Sequence, residues 1–230
     1  MEIEWGRGLV ARAAGDLGVA REALSGAVAL AQRAANHWRE FECMVWLATV
    51  ELEQGRHGDV MRHVEEILAA AARMGEQDAP FAQAIGALAR LRGGHDGPAE
   101  KDLLASLVAL RERDDKAHLA YGLNELAAQA QAAGRWDVAA RSAAEAFAAA
   151  RTVRRATELV VAAARLAVAC AGGGAEADAL LVDDAREMVA GWPHSWPLSG
   201  PPSARAAAAM AAAQAALRDP VSTVAQTPAP

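Results

Sequence analysis

The stretch Ala132–Phe147, AAGRWDVAARSAAEAF, sets a glycine and a Trp-Asp pair inside residues that otherwise favour helix. Three readings compete for Gly134-Arg135-Trp136-Asp137: a catalytic turn, the Trp-Asp signature of a propeller blade, or the corner of a helical hairpin. A propeller blade needs four short strands rich in β-branched and aromatic residues. The run AARSAAEAFAAAR that begins at Ala139 cannot supply them. A corner remains, because glycine reaches backbone conformations that residues with a Cβ resist.

The same corner recurs along the chain. Gly15, Gly55, Gly94, Gly134 and Gly174 follow one another at a constant step, apart from Gly55 to Gly94, which is shorter by a single position. Five positions after each lies Ala20, Val60, Ala99, Ala139 or Ala179, and seven before each lies Gly8, Ala48, Ala87, Ala127 or Ala167. A fixed period with small residues at fixed offsets is the mark of an internal repeat. The flanks have helical periodicity: Phe41, Val45, Ala48 and Leu52 before Gly55, then Val60, Val64, Ile67, Leu68 and Ala71 after it. Around Gly134 the stripes are Leu119, Leu123, Leu126, Ala127 and Ala130, then Val138, Ala139, Ala143, Ala146 and Phe147. Each unit is therefore predicted to be two helices joined at a glycine. Polar breaks at Asn36-His37, Gly75-Glu76-Gln77-Asp78, Arg113-Asp114-Asp115 and Val153-Arg154-Arg155 separate the units.

Composition agrees with closely packed helices. Alanine contributes 62 of 230 residues, whereas Phe, Tyr and Trp together contribute ten. That leaves little to build sheets. The formal net charge of −6 argues against the broad basic footprint of a nucleic-acid binder. No apolar run approaches the roughly 18–20 residues of a membrane span. The start, MEIEWGRG, lacks the basic and apolar regions of a signal peptide, so a cytoplasmic protein is expected. Cys43 and Cys170 stand apart and belong to no Cys-x-x-Cys pair, and two buried, reduced thiols are expected.

The pattern resembles the tetratricopeptide repeat, whose unit is a helical hairpin with small residues at unit positions 8, 20 and 27 and a frequent glycine at 15. The unit beginning at Ala120 matches through Leu126-Ala127, Gly134, Trp136, Ala139 and Ala146. The unit beginning at Met1 matches through Gly8, Gly15, Leu17, Ala20, Leu24 and Ala27. Small residues are needed there because helix axes approach to about 8 Å only where they meet. Departures are a period longer than that family's usual unit, Gly86 and Asp96 in the third unit, and Asp183 and Arg186 in the fifth, which reads as degenerate or as a polar cap.

The resemblance implies an all-α fold, a right-handed superhelix of about five helical hairpins over residues 1–190. After Ala190, GWPHSWPLSGPPS carries four prolines and interrupts helix. A short alanine-rich helix capped by Ser203 then runs to residue 218, and residues 219–230 are expected to be disordered. Units of this length also resemble the helical arms of bacterial regulators of the LuxR and maltose-regulator type.

Patterns that could carry catalysis have plainer explanations. His57, Asp59 and His63 could suggest a metal, but His57 lies at the corner and His63 about a turn and a half along the next helix, with no further well-spaced ligand. The adjacent pairs Glu65-Glu66, Asp114-Asp115 and Asp183-Asp184 point apart on a helix or turn. Gly172-Gly173-Gly174 has no Gly-Lys-Ser/Thr after it and no strand before it. No cofactor, metal or enzymatic activity is expected. Function then falls to surface, and the resemblance implies a concave groove lined by the first helix of each unit. Carried onto this chain, the groove positions are Trp5, Arg12, Glu42, Thr49, Glu53, Phe81, Arg92, Tyr121, Asn124 and Gln131. Trp5 and Phe81 read equally well as packing between units. The resemblance implies a partner that is another protein or a peptide, or else a regulatory or sensor arm working with a bacterial transcriptional regulator; the charge and hydropathy above lead to the expectation of no direct nucleic acid and no membrane. The carboxylate clamp of some co-chaperone members is not expected, since its columns hold Trp5 and Leu9.

Overall fold

A computed structural model describes residues 1–75, 79–94, 96–174 and 178–218. The expected disorder of 219–230 lies outside them, as do Glu76-Gln77-Asp78 and the Ala175-Glu176 that follows Gly174. Among the described residues the protein is all helix. The elements are α1 (Glu2–Ala14), α2 (Leu17–Arg33), α3 (His37–Glu53), α4 (His57–Arg73), α5 (Pro80–Arg92), α6 (Asp96–Glu112), α7 (Lys116–Ala132), α8 (Trp136–Thr152), α9 (Ala156–Ala171), α10 (Ala179–Ala190) and α11 (Ala204–Arg218). The chain divides into two compact units, Met1–Arg113 and Asp114–Pro230. In each, helices pack on their neighbours in sequence: α1 to α6 in the first, and α7 to α10 in the second.

The corners explain this regularity. Left-handed backbone occurs at Gly15, Ala35, Gly55, Gly75, Gly94, Asp114, Gly134, Arg154 and Gly173, and the step between them is constant to within a single position. Among the described residues, six of these nine corners show the same pair of hydrogen bonds. At the first, Gly15 N–H donates to Arg12 O at 3.0 Å and Asp16 N–H to Ala11 O at 2.9 Å. Ala35-Asn36, Gly55-Arg56, Gly134-Arg135, Arg154-Arg155 and Gly173-Gly174 repeat it. This is the Schellman closure, which satisfies carbonyls that the helix end would leave open. At Gly15, Ala35, Gly55, Asp114, Gly134 and Arg154 the residue after the left-handed one opens the next helix. Asp16, Asn36 and Asp115 do so as N-caps, accepting from the backbone of Val19, Arg39 and His118.

The glycine series marks corners within hairpins, but the corners between hairpins mostly use other residues. Ala35, Asp114 and Arg154 hold φ of 51°, 55° and 54° there. At the fifth hairpin corner the sequence register is off by one. Gly173, at φ 107°, is the left-handed residue in place of Gly174. Gly172 and Gly174 are needed for a different reason, the close approach of α8. A Cβ on Gly172 would lie 2.5 Å from the Trp136 ring, and one on Gly174 would lie 2.5 Å from the Trp136 carbonyl oxygen. Trp136 therefore wedges against the end of the following hairpin's first helix.

The small-residue columns are buried as expected in four hairpins: Gly8, Ala48, Ala87 and Ala127, with Ala20, Val60, Ala99 and Ala139. A Cβ on Gly8 would meet Leu24 at 2.7 Å, so α1 and α2 close only over a hydrogen. In the fifth hairpin Ala167 is buried but Ala179 is exposed. The exposed Asp183 and Arg186 of α10 agree with a polar outer face.

Two substitutions test this frame. Ala139→Leu inserts three carbons where no space exists and is expected to cost about 1–3 kcal/mol in denaturant unfolding. Gly134→Ala forces a Cβ into left-handed backbone and is expected to cost about 1–2 kcal/mol. Unchanged unfolding midpoints would show that these positions do not control the corner.

Candidate functional site

The expected groove residues sort into two groups, those that present surface and those that join hairpins. In the first unit, α1 and α3 lie on either side of α2 in sequence and meet through charged side chains. Arg12 donates from Nε and Nη2 to the two Glu53 carboxylate oxygens, at 3.1 and 2.6 Å. The planar guanidinium fits the carboxylate fork-to-fork. The same guanidinium lies 5.2 Å from the Trp46 ring centroid. Nearer the start of α3, Arg39 covers the Trp5 ring at 5.0 Å, pairs with Glu2 at 2.9 Å and also with Glu42. Trp5 and Trp46 also pack against a core of Ala11, Ala20, Leu24, Leu47 and Val50. Each indole thus has one apolar contact and one cationic contact.

Four of the chain's ten aromatic residues, Trp5, Trp38, Phe41 and Trp46, belong to α1 and α3. Trp38 is 67% exposed and stacks on Phe41 with ring centroids 6.2 Å apart. Sequence reasoning passes over Trp38, Arg39 and Trp46 because they fall outside the groove columns of the resemblance. The concentration of aromatics on two helices is the signal that points to them.

The structure places several other expected groove positions inside the packing. Thr49 is fully buried, and its hydroxyl donates to the Val45 carbonyl at 2.8 Å within its own helix. Phe81 is 8% exposed and Tyr121 is 4% exposed. Asn124, expected to face a partner, is fully buried and donates to the Glu158 backbone oxygen at 3.0 Å and its carboxylate at 2.8 Å. Gln131 donates to the Arg165 carbonyl at 2.7 Å and accepts from its guanidinium at 3.2 Å. For Thr49 and Asn124 the expectation of open groove contacts is corrected, since Thr49 is satisfied inside α3 and Asn124 joins α7 to α9; Gln131, half-buried, also bonds α7 to α9. The reason is that α7 and α9 lie close enough to bring Glu158 and Arg165 within reach of these side chains, and a buried amide N–H needs an acceptor. Arg92 donates to the Leu52 carbonyl at 3.0 Å, placing a cation at the C-terminal end of α3.

Several other titratable groups have local roles. His63 Nδ1 lies 2.7 Å from a Glu51 carboxylate oxygen, and both residues are buried, so His63 is a core partner. Among the described residues no three His, Cys, Asp or Glu side chains are grouped to hold a metal. Asp115 is half in the protein; burial works against its charge, but the hydrogen bond and charge of His118 outweigh it and hold the carboxyl below its ordinary range. Burial and the neighbouring Glu42 push the Cys43 thiol up to about 11, which suits a fully buried, inert cysteine. Cys170 is only half-buried, short of the burial expected for it.

Compared with protein-family models, curated proteins and solved structures, the chain shows no significant match to any of them.

The Arg12–Glu53 pair is mostly shielded from water, with side chains 18% and 16% exposed. Arg12→Ala removes two charge-assisted bonds and the cover of Trp46, and is expected to cost about 1.5–3 kcal/mol. A loss below about 0.5 kcal/mol in urea unfolding, the floor for an ordinary hydrogen bond, would mean that the pair does not bind α1 to α3.

Proposed function

We propose that this chain is a non-enzymatic protein- or peptide-binding repeat module, tetratricopeptide-like in its hairpins, that engages its partner through the first helices of successive hairpins. The observation that carries this reading is the aromatic and charged face of α1 and α3. Trp5 and Trp46 sit beneath Arg39 and Arg12, with Trp38 open to solvent beside Phe41. Trp and Arg are the residues that most often dominate binding energy at protein interfaces. A large, rigid aromatic contributes contact area at little cost in side-chain entropy, and a guanidinium stacked on it and paired with a neighbouring carboxylate is held in one orientation. Further support comes from individual side chains with structural roles: Asp16 and Asp115 cap helices, and His63 pairs with Glu51 in the core.

The reading also accounts for the overall charge. A surface in which carboxylates and guanidiniums alternate selects a partner by complementary pattern and does not hold any polyanion indiscriminately. Such an interface is expected to weaken as salt rises, since part of its contacts are solvent-exposed ion pairs.

The test is affinity capture from the cytosol of the native organism, with the wild-type chain and a Trp38→Ala/Arg39→Glu variant compared. Trp38 is largely exposed, so the variant is expected to keep its helical circular dichroism while losing its specific partner. A transcriptional regulator among the partners lost would point to the sensor-arm role. An unchanged partner list with the fold intact would sink the assignment of this face.

A further inference from the structure

The second unit ends in a helix that does not follow the pattern of the others. α11 packs chiefly along α9 and touches α10 only at its edge. It is returned to α9 by residues 191–203, which carry four prolines. Its buried stripe is Ala206, Met210 and Ala213, so one large side chain anchors it. Ser203 caps its start, accepting from Ala206 N–H at 3.3 Å, and the same hydroxyl lies 2.9 Å from that of Thr157.

Just inside that start, Arg205 reaches across α9 to α7. Its guanidinium lies 4.4 Å from the Tyr121 ring centroid, 2.8 Å from a Glu125 carboxylate oxygen and 3.3 Å from a Glu158 carboxylate oxygen. The Glu125 and Glu158 side chains are 8% and 11% exposed. Asn124 fixes Glu158 from behind by donating to the same carboxylate oxygen at 2.8 Å. The walls of this pocket come from α7 and α9, two first helices, and only its contents come from α11. A flat aromatic face with carboxylates at its rim matches a planar guanidinium and suits a compact ammonium poorly.

Resting on the binding-module reading above, we propose that the Tyr121–Glu125–Glu158 pocket is an arginine-reading site, which α11 fills in cis with Arg205 and which an arginine-bearing helix of a partner protein occupies when it displaces α11. The cis helix sets a threshold. Tethered by a short segment, it competes at an effective concentration on the order of millimolar. A partner must therefore present the arginine on a helix with better apolar anchors than a single methionine. Small apolar side chains elsewhere on α11 provide little to hold it once Arg205 is withdrawn.

The experiment uses the full chain and labelled helical peptides followed by fluorescence anisotropy. One peptide copies residues 203–218, a second replaces its Arg205 by Lys, a third is an unrelated alanine-rich host helix with arginine at the same place, and a fourth is that host with alanine there. Arg205→Glu should unseat α11 and open the pocket. The expected result is at least tenfold tighter binding of the copied peptide to the Arg205→Glu chain than to wild type. The lysine peptide should bind at least tenfold more weakly, and the arginine host helix should bind more tightly than its own alanine version. Should Arg205→Glu lose its helical circular dichroism, Met210→Glu unseats the helix without adding charge to the pocket, and the same comparisons apply. Equal binding of arginine and lysine peptides, or no binding to a folded, unseated chain, overturns the proposal. Arginine-dependent peptide binding by a chain that captures no cytosolic partner supports the pocket and counts against the binding-module reading. A partner that depends on Trp38 and Arg39, with no arginine dependence at the pocket, does the reverse.

Discussion

The constraint on which this structure depends is the short corner that reverses the chain between most consecutive helices. At six of these corners a helix ends, one residue takes left-handed backbone, and the next residue opens the following helix. The paired hydrogen bonds at Gly15-Asp16, Gly55-Arg56 or Gly134-Arg135 close the open carbonyls and fix the direction of departure together. So short a connection leaves consecutive helices no choice but to lie side by side. Helix length follows as well, because the corners recur at an almost constant interval. The alanine and glycine columns are a consequence of that geometry. Helices brought together by such short corners meet at close range, and Gly8 against Leu24 leaves no room even for a methyl group.

Close approach also determines what polar side chains can do. Between α7 and α9 the gap is narrow enough that Asn124 and Gln131 are absorbed into bonds with Glu158 and Arg165. Between α1 and α3 the longer side chains Arg12, Arg39, Glu2, Glu42 and Glu53 keep part of their surface in water, and the two arginines lie over indole rings. The same hairpin plan thus yields a sealed contact in one unit and a presented face in the other. Size and reach of the side chains account for the difference. The place where α7 and α9 do present a recess, beneath Tyr121 and between Glu125 and Glu158, is taken by Arg205 of the chain's own last helix.

The corners within hairpins were legible as glycines, and most of those between hairpins were not. Ala35, Asp114 and Arg154 adopt left-handed backbone without glycine, so no repeat of glycines announces them. Their neighbours impose it: once two helices are packed, the connection must close within a few residues, and packing supplies the roughly 1–2 kcal/mol that the conformation costs. The triple glycine at 172–174 was legible as a corner but its register was not. Two of its three glycines answer to Trp136, at the start of the preceding helix, and no local pattern carries that information.

The sequence by itself determined the helical class, the hairpin unit and the small-residue contacts, because glycine spacing and apolar periodicity are local properties of a chain with few strand-forming residues. It also determined that Tyr121, Asn124 and Gln131 lie on one helix as a group. Only the tertiary structure decided which way that group is used. Exposure of a polar residue depends on how near the next helix comes and on what that helix offers in return, here Glu158 and Arg165 from α9 and Arg205 from α11. Those partners belong to other helices further along the chain, and their arrival is a matter of packing distance, which the order of residues in any one helix does not encode.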